Sequence, residues 1–158
     1  ATTAEMLSAY LGASTNSRLY WAVVQNGLAD EATANYVGLS DTGLFYIYLS
    51  VDPTRTKEAI DVVLSECQAL HDQIDDEALE RAKTKAATSV VCSGEHGLSR
   101  FGQLVDDVSC NAPLRSLDDQ IDEIRSVDTD RIGSYLTLFP LTQDPALVAL
   151  GPLADLAS

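Results

Sequence analysis

Apolar and polar positions alternate most cleanly at residues 44–51. Phe45, Ile47, Leu49 and Val51 fall on one side of an extended chain there, and Leu44, Tyr46, Tyr48 and Ser50 on the other. This period of two predicts a central strand with a core face and an amphipathic tyrosine face that could line a groove. Small and β-branched residues predict a second strand over 30–37, and Ser40, Asp41 and Gly43 supply the turn between the two. Elsewhere the period is helical. Thr2 and Glu5 have capping-box spacing, Met6, Leu7, Tyr10 and Leu11 follow at helical intervals, and Gly12 stops the run. Asn16 or Ser17 caps a second helix through Leu19, Tyr20, Val23 and Val24 to Gly27.

The second half of the chain is nearly all helical pattern. Asp52-Pro53 starts a helix whose Ile60, Val63, Leu64, Cys67 and Leu70 form one stripe. Asp75 or Asp76 caps the next, with Leu79, Ala82, Ala86 and Val90 inward, until Gly94 and Gly97 interrupt it. Helices follow over 98–109 and over 117–125, the latter capped by Ser116 with Asp119 at its third position. Asp128 opens another through Ile132, Tyr135, Leu136 and Phe139, and Ala146–Leu150 reads as a last strand beyond the loop bracketed by Pro140 and Pro145. No internal repeat or linker divides residues 1–158. The pattern predicts an α+β domain, a two-layer α/β sandwich with a mostly antiparallel sheet and helices packed on one face. The helices at 55–72 and 76–91 are expected to bury Phe45, Ile47, Leu49 and Val51.

Composition narrows the function. An apolar content of 46% and a charged content of 22% suit a globular domain of 158 residues. No apolar run approaches the roughly 18–20 residues needed to span a bilayer. The net charge of −14, from 24 acids against 10 bases, disfavours nucleic acid and anionic membranes. It suits solubility, and an acidic wall would attract basic peptides. Three widely spaced cysteines, Cys67, Cys92 and Cys110, make no disulfide framework, so the cytoplasm or another reducing compartment is expected.

Cys92-Ser93-Gly94-Glu95-His96 spells C-x-x-E-H, one residue from the H-x-x-E-H of a zinc helix. Thiolate and imidazole bind zinc and the Glu could serve as base. However, Gly94 and Gly97 weaken the helix that must carry both ligands on one face. Cys67 and His71 repeat the i, i+4 spacing, but two ligands close no site. No G-x-S-x-G elbow or phosphate loop is present. The residues therefore predict no metal and no catalytic group in this chain.

One order of motifs remains. L-G-A-S-T-N-S-R-L at 11–19 precedes G-L-A at 27–29 and S-D-T-G-L-F-Y-I-Y-L-S-V-D-P at 40–53, followed by L-E-R-A-K at 79–83 and L-G-P-L at 150–153. Together they resemble the pitrilysin and mitochondrial-processing-peptidase family of zinc peptidases, and more narrowly its C-terminal, non-zinc half. The resemblance implies two half-domains facing each other across a chamber, with peptides bound in extended form at a sheet edge. It implies zinc in the partner half, supplied by the same parent chain or a separate subunit. It also implies an Arg and a Tyr seven residues apart around G-L-A. Here the Tyr position is Asp30 and the Arg position is Val23, or Val24 if the loop is one residue shorter; Arg18 and Tyr36 match other positions. Asp30, Tyr36, Tyr46 and Tyr48 are thus the candidate peptide-contacting residues.

The resemblance implies a non-catalytic half that closes the chamber of a zinc metalloendopeptidase and contacts the peptide. The alternative is a peptidase-derived scaffold or assembly subunit without proteolysis. Family halves open with a strand before the first helix, and none precedes Thr2. The expectation is a fragment of a longer two-half protein whose sheet is open to pairing, including homodimerisation through the sheet edge.

Overall fold

A computed structural model describes residues 2–12, 15–39, 42–70, 73–109 and 113–152. Among these residues two strands, β1 (Glu31–Gly38) and β2 (Gly43–Ser50), lie with six α-helices. These are α1 (Thr2–Gly12), α2 (Thr56–Ala69), α3 (Asp76–Gly94), α4 (Gly97–Ser109), α5 (Leu117–Arg125) and α6 (Thr129–Leu138). Most helix starts are written in local side-chain chemistry. Asp52 accepts from the Thr54 amide at 2.8 Å and, with Pro53, sets a 3₁₀ turn ahead of α2. Asp75 caps α3 through the Glu77 amide at 2.9 Å, and Asp128 caps α6 through the Arg131 amide at 2.8 Å. Ser116 and Asp119 exchange bonds as a capping box, the Ser116 amide donating at 2.9 Å and the Asp119 amide at 3.1 Å.

The helix expected from residue 16 or 17 to Gly27 takes a different form. Asn16 has φ 73°, left-handed and so not a cap; Ser17 takes that place, its Oγ accepting from the Tyr20 amide at 3.4 Å. The helix runs from Arg18, and Tyr20–Val24 is a π-helical segment closed by the Gln25 amide donating to the Tyr20 carbonyl at 2.8 Å. The wider turn keeps Leu19 and Val23 fully buried while Trp21 faces out.

β1 and β2 pair antiparallel, Ala32 with Leu49, Ala34 with Ile47 and Tyr36 with Phe45 on one face; Thr33 with Tyr48, Asn35 with Tyr46 and Val37 with Leu44 share the other. The first face meets the core, as the alternation requires. Two expectations need correction. The helix packed on the sheet is α1, rather than α2 or α3; α2 packs on the π-helical turn and α3 on α1 and α5. And β2 is not central, since the sheet has two strands among the described residues. Phe45, Ile47, Leu49 and Val51 are therefore only half-buried, packed against a core whose centre is Leu7, Leu11, Leu19, Leu70, Ile132 and Leu136. Ala146–Leu150 is a further correction. It forms no strand, and Val148 and Leu150 are almost fully exposed. An extended segment becomes a strand only by exchanging hydrogen bonds with a neighbour, and no described strand pairs with this one.

The register yields a stability contrast. Ile47→Ala is expected to cost about 2 kcal/mol, the lower end for a large-to-small change because Ile47 is only half-buried. Tyr46→Ala, on the solvent face, should cost less than about 1 kcal/mol. Urea unfolding of the two variants checks the order, and a larger loss for Tyr46→Ala would reverse the assignment of faces.

Candidate functional site

A groove among the helices and the outer face of the sheet lie outside the core and could receive a ligand. The groove, about 1190 Å³, lies between α1, residues 15–22 and α3. Ala9, Ala22, Ala78, Ala82 and Ala86 form an apolar lining, and Trp21, Arg18, Arg81 and Lys85 provide bulk and charge. Arg18 is fixed at the wall. Its Nε donates to Glu66 and its Nη1 to the Gln73 carbonyl, both at 2.5 Å. Partial burial opposes its charge, but hydrogen bonds with Glu66 and Tyr10 outweigh that and raise its pKa. Tyr10 also anchors the cap of α3, its hydroxyl accepting from the Asp75 amide at 3.1 Å. Arg18 is thus committed to joining elements far apart in sequence.

On the sheet, Tyr46 and Tyr48 stand together on the outer face, 42% and 51% exposed. Asp30 is exposed at the end of β1, where its amide donates to the Ser50 carbonyl at 2.8 Å. Tyr36 is not part of this face. It points to the helix side, half-buried, with its hydroxyl against Gly43, where any side chain would collide with it. Burial, with Tyr36 nearby, raises the Tyr135 pKa. The structure therefore groups Tyr46 with Tyr48, sets Asp30 at the sheet's end and leaves Tyr36 on the opposite face. Val23 is fully buried in the core and Val24 half-buried against it. Neither position presents a donor that could polarise a peptide carbonyl.

The C-x-x-E-H stretch straddles the end of α3 at Gly94. Cys92 and Glu95 are exposed, and the His96 Nδ1 lies 3.0 Å from the Cys92 carbonyl, so the backbone occupies one ring nitrogen. Burial, with some help from Glu66, pushes the Cys67 thiol up to about 11, which keeps it protonated and a poor ligand. His71 and Cys110 lie outside the described residues. Among the described residues, no group of three His, Cys, Asp or Glu side chains could hold a metal ion.

A family model described as the peptidase M16 inactive domain matches residues 2–86, more than half of the chain. The chain belongs to this family. Mitochondrial-processing peptidase subunit alpha from Homo sapiens is 29% identical over 144 residues, covering 89% of this chain and 27% of that protein. The subunit from Rattus norvegicus has the same identity and coverage. The chain thus spans about a quarter of the length of the curated relatives it matches. The inactive peptidase domain of a proposed zinc protease from Bordetella parapertussis shares the fold, with a TM-score of 0.73 at 20% identity over 84% of this chain and 73% of that one. A protease from Helicobacter pylori gives 0.78 at 19% identity over 87% of this chain and 34% of that one.

This M16 inactive domain is a non-catalytic, peptidase-derived domain. No helix among the described residues is long and apolar enough to cross a membrane. The C-x-x-E-H spelling has no third ligand within the described residues and a broken helix beneath it. After dialysis, elemental analysis is expected to find no stoichiometric zinc. One tightly held zinc per chain, lost in His96→Ala, would overturn this expectation.

Proposed function

We propose that this M16 inactive domain closes the chamber of a two-half zinc peptidase and contacts its peptide along the sheet. The observation that carries the reading is a two-stranded sheet whose outer face presents Tyr46 and Tyr48 beside edges left free among the described residues. An extended peptide adds main-chain hydrogen bonds to such an edge, and side chains on alternate positions give it selectivity. Tyr46 and Tyr48 offer rigid apolar surface with a hydroxyl tip, and Asp30 offers a carboxylate at the sheet's end. The net charge of −14 favours basic peptides. The partner is the zinc-bearing N-terminal half, in the same parent chain or a separate subunit, and the zinc and its activated water belong to that half.

The test uses the domain assembled with its zinc-bearing half and a fluorescent, non-hydrolysable extended peptide. The Tyr46→Ala/Tyr48→Ala double variant should weaken peptide binding about tenfold, some 1.4 kcal/mol, with no loss of zinc. Unchanged affinity would sink the assignment. The isolated domain should show no turnover on a quenched-fluorescence peptide library.

One observation favours the second reading, a peptidase-derived scaffold without proteolysis. Val23 in the core and Asp30 at the surface leave the domain without the Arg and Tyr that a supporting catalytic half would offer. H-x-x-E-H in the parent or partner sequence would decide against the scaffold.

A further inference from the structure

The helix α4 is inside out. Its Asp107 side faces the protein, 6% exposed, where Arg115 Nη2 donates to Oδ1 at 2.6 Å. Arg100 lies on the same side and donates to the Arg115 carbonyl at 2.5 Å. The opposite side carries Leu98, Phe101, Val105 and Val108, which are 84%, 64%, 43% and 64% exposed. An amphipathic helix in a finished surface normally turns its apolar stripe inward, and contiguous exposed apolar patches mark interaction sites.

We propose that this stripe pairs with α4 of a second copy of the chain, antiparallel about a twofold axis. The four residues follow each other at intervals of three, four and three, the spacing of a coiled-coil seam. The pattern reads the same in both directions about position 103. Leu98 therefore meets Val108 of the second copy, and Phe101 meets Val105, each larger side chain against a smaller one. The positions flanking the seam are Gly97, Gly102, Leu104 and Ser109, so the whole face is uncharged. That matters for a chain of net charge −14, because two copies repel each other overall and an uncharged face lets them meet at least electrostatic cost. The two flanking glycines and Ser109 also let the backbones approach. Such a face is self-complementary, as a twofold contact requires.

The size fits a weak, reversible dimer. Four side chains of this exposure bury roughly 500 Å² on each copy, about 1,000 Å² in all, the low end for specific association. This contact is independent of the peptide-binding reading and lies on an element that packs on α3.

Sedimentation velocity on the 158-residue chain, from micromolar to millimolar concentration, should show a concentration-dependent dimer. Phe101→Asp should leave a folded monomer, with circular dichroism unchanged because Phe101 already faces solvent. In a Cys92→Ser/Cys110→Ser background, Gly102→Cys should cross-link copies on mild oxidation. A Cβ at 102 meets open space, and the position lies next to the twofold axis. Gly97→Cys, equally open, should not cross-link, since six residues from the axis on each copy separate the two positions by roughly 18 Å. A chain that stays monomeric throughout, or a dimer that survives Phe101→Asp, overturns the proposal. Cross-linking through Gly97→Cys would mean a parallel pair and overturn the antiparallel geometry.

Discussion

Gly12→Val is expected to lift α1 off the sheet and leave most of the protein unfolded at 37 °C. Gly12 ends α1 where that helix crosses β1. A Cβ there would stand 2.5 Å from the Ala34 amide nitrogen, 2.9 Å from the Ala34 Cβ and 3.1 Å from the Thr33 carbonyl carbon. Two of these contacts are backbone held in the ladder with β2, so they cannot swing aside as a side-chain tip can. α1 must move, and Leu7 and Leu11 at the centre of the core move with it. Even Gly12→Ala should cost about 1–3 kcal/mol as an overpacked contact. At about 2–4 °C per kcal/mol for a domain of this size, that is a clear drop in melting temperature. Gly133→Ala is the control of opposite sign. Its Cβ would meet nothing within 4 Å inside α6, so the change should stabilise by up to about 1 kcal/mol through helix propensity. Equal melting temperatures for the two alanine variants would show that α1 does not rest on β1 as described.

Arg115→Met is expected to cost about 3 kcal/mol. Arg115 ties three helices together, donating to Asp107 of α4 at 2.6 Å and to Glu123 of α5 at 3.1 Å, while Thr2 of α1 donates to the same Glu123 oxygen at 2.8 Å. The Asp107 hydrogen bond, acting against partial burial, raises the Arg115 pKa, so the guanidinium stays charged. Removing it strands the Asp107 carboxylate in a site where its Oδ2 already lacks a partner among the described residues. Breaking one side of a buried pair costs far more than replacing both. The Arg115→Met/Asp107→Leu double variant should therefore recover most of the loss. Urea unfolding of the two single variants and the double measures the coupling, and simple additivity would mean that the pair contributes nothing of its own.

Much of this architecture is legible in the sequence because its signals are local. Asp75, Ser116 with Asp119, and Asp128 start their helices through bonds to amides two or three residues away. The alternation at 44–51 assigned Ile47 and Tyr46 to opposite faces; β1 and β2 pair antiparallel, while Ser40 and Asp41 of the expected turn lie outside the described residues. For the candidate site, the same alternation set Tyr46 and Tyr48 on one outward face. The motif order and the missing donor at Val23 pointed to a non-catalytic half of a peptidase family.

Contacts between distant segments were left to the tertiary structure. The choice of α1 to cover the sheet depends on Gly12 meeting Ala34, and the groove wall depends on Arg18 reaching Glu66 and the Gln73 carbonyl, 48 and 55 residues on. The side of Tyr36 follows from its pairing with Phe45, which no pattern around residue 36 announces. Ala146–Leu150 has strand composition yet forms no strand, since strand character is completed by a neighbour's backbone rather than by its own residues. A helix over 98–109 was expected from the sequence, but a helical pattern alone does not say which side faces inward. Its direction was decided by Arg115, which drew Asp107 toward the protein and turned Leu98, Phe101, Val105 and Val108 out to solvent.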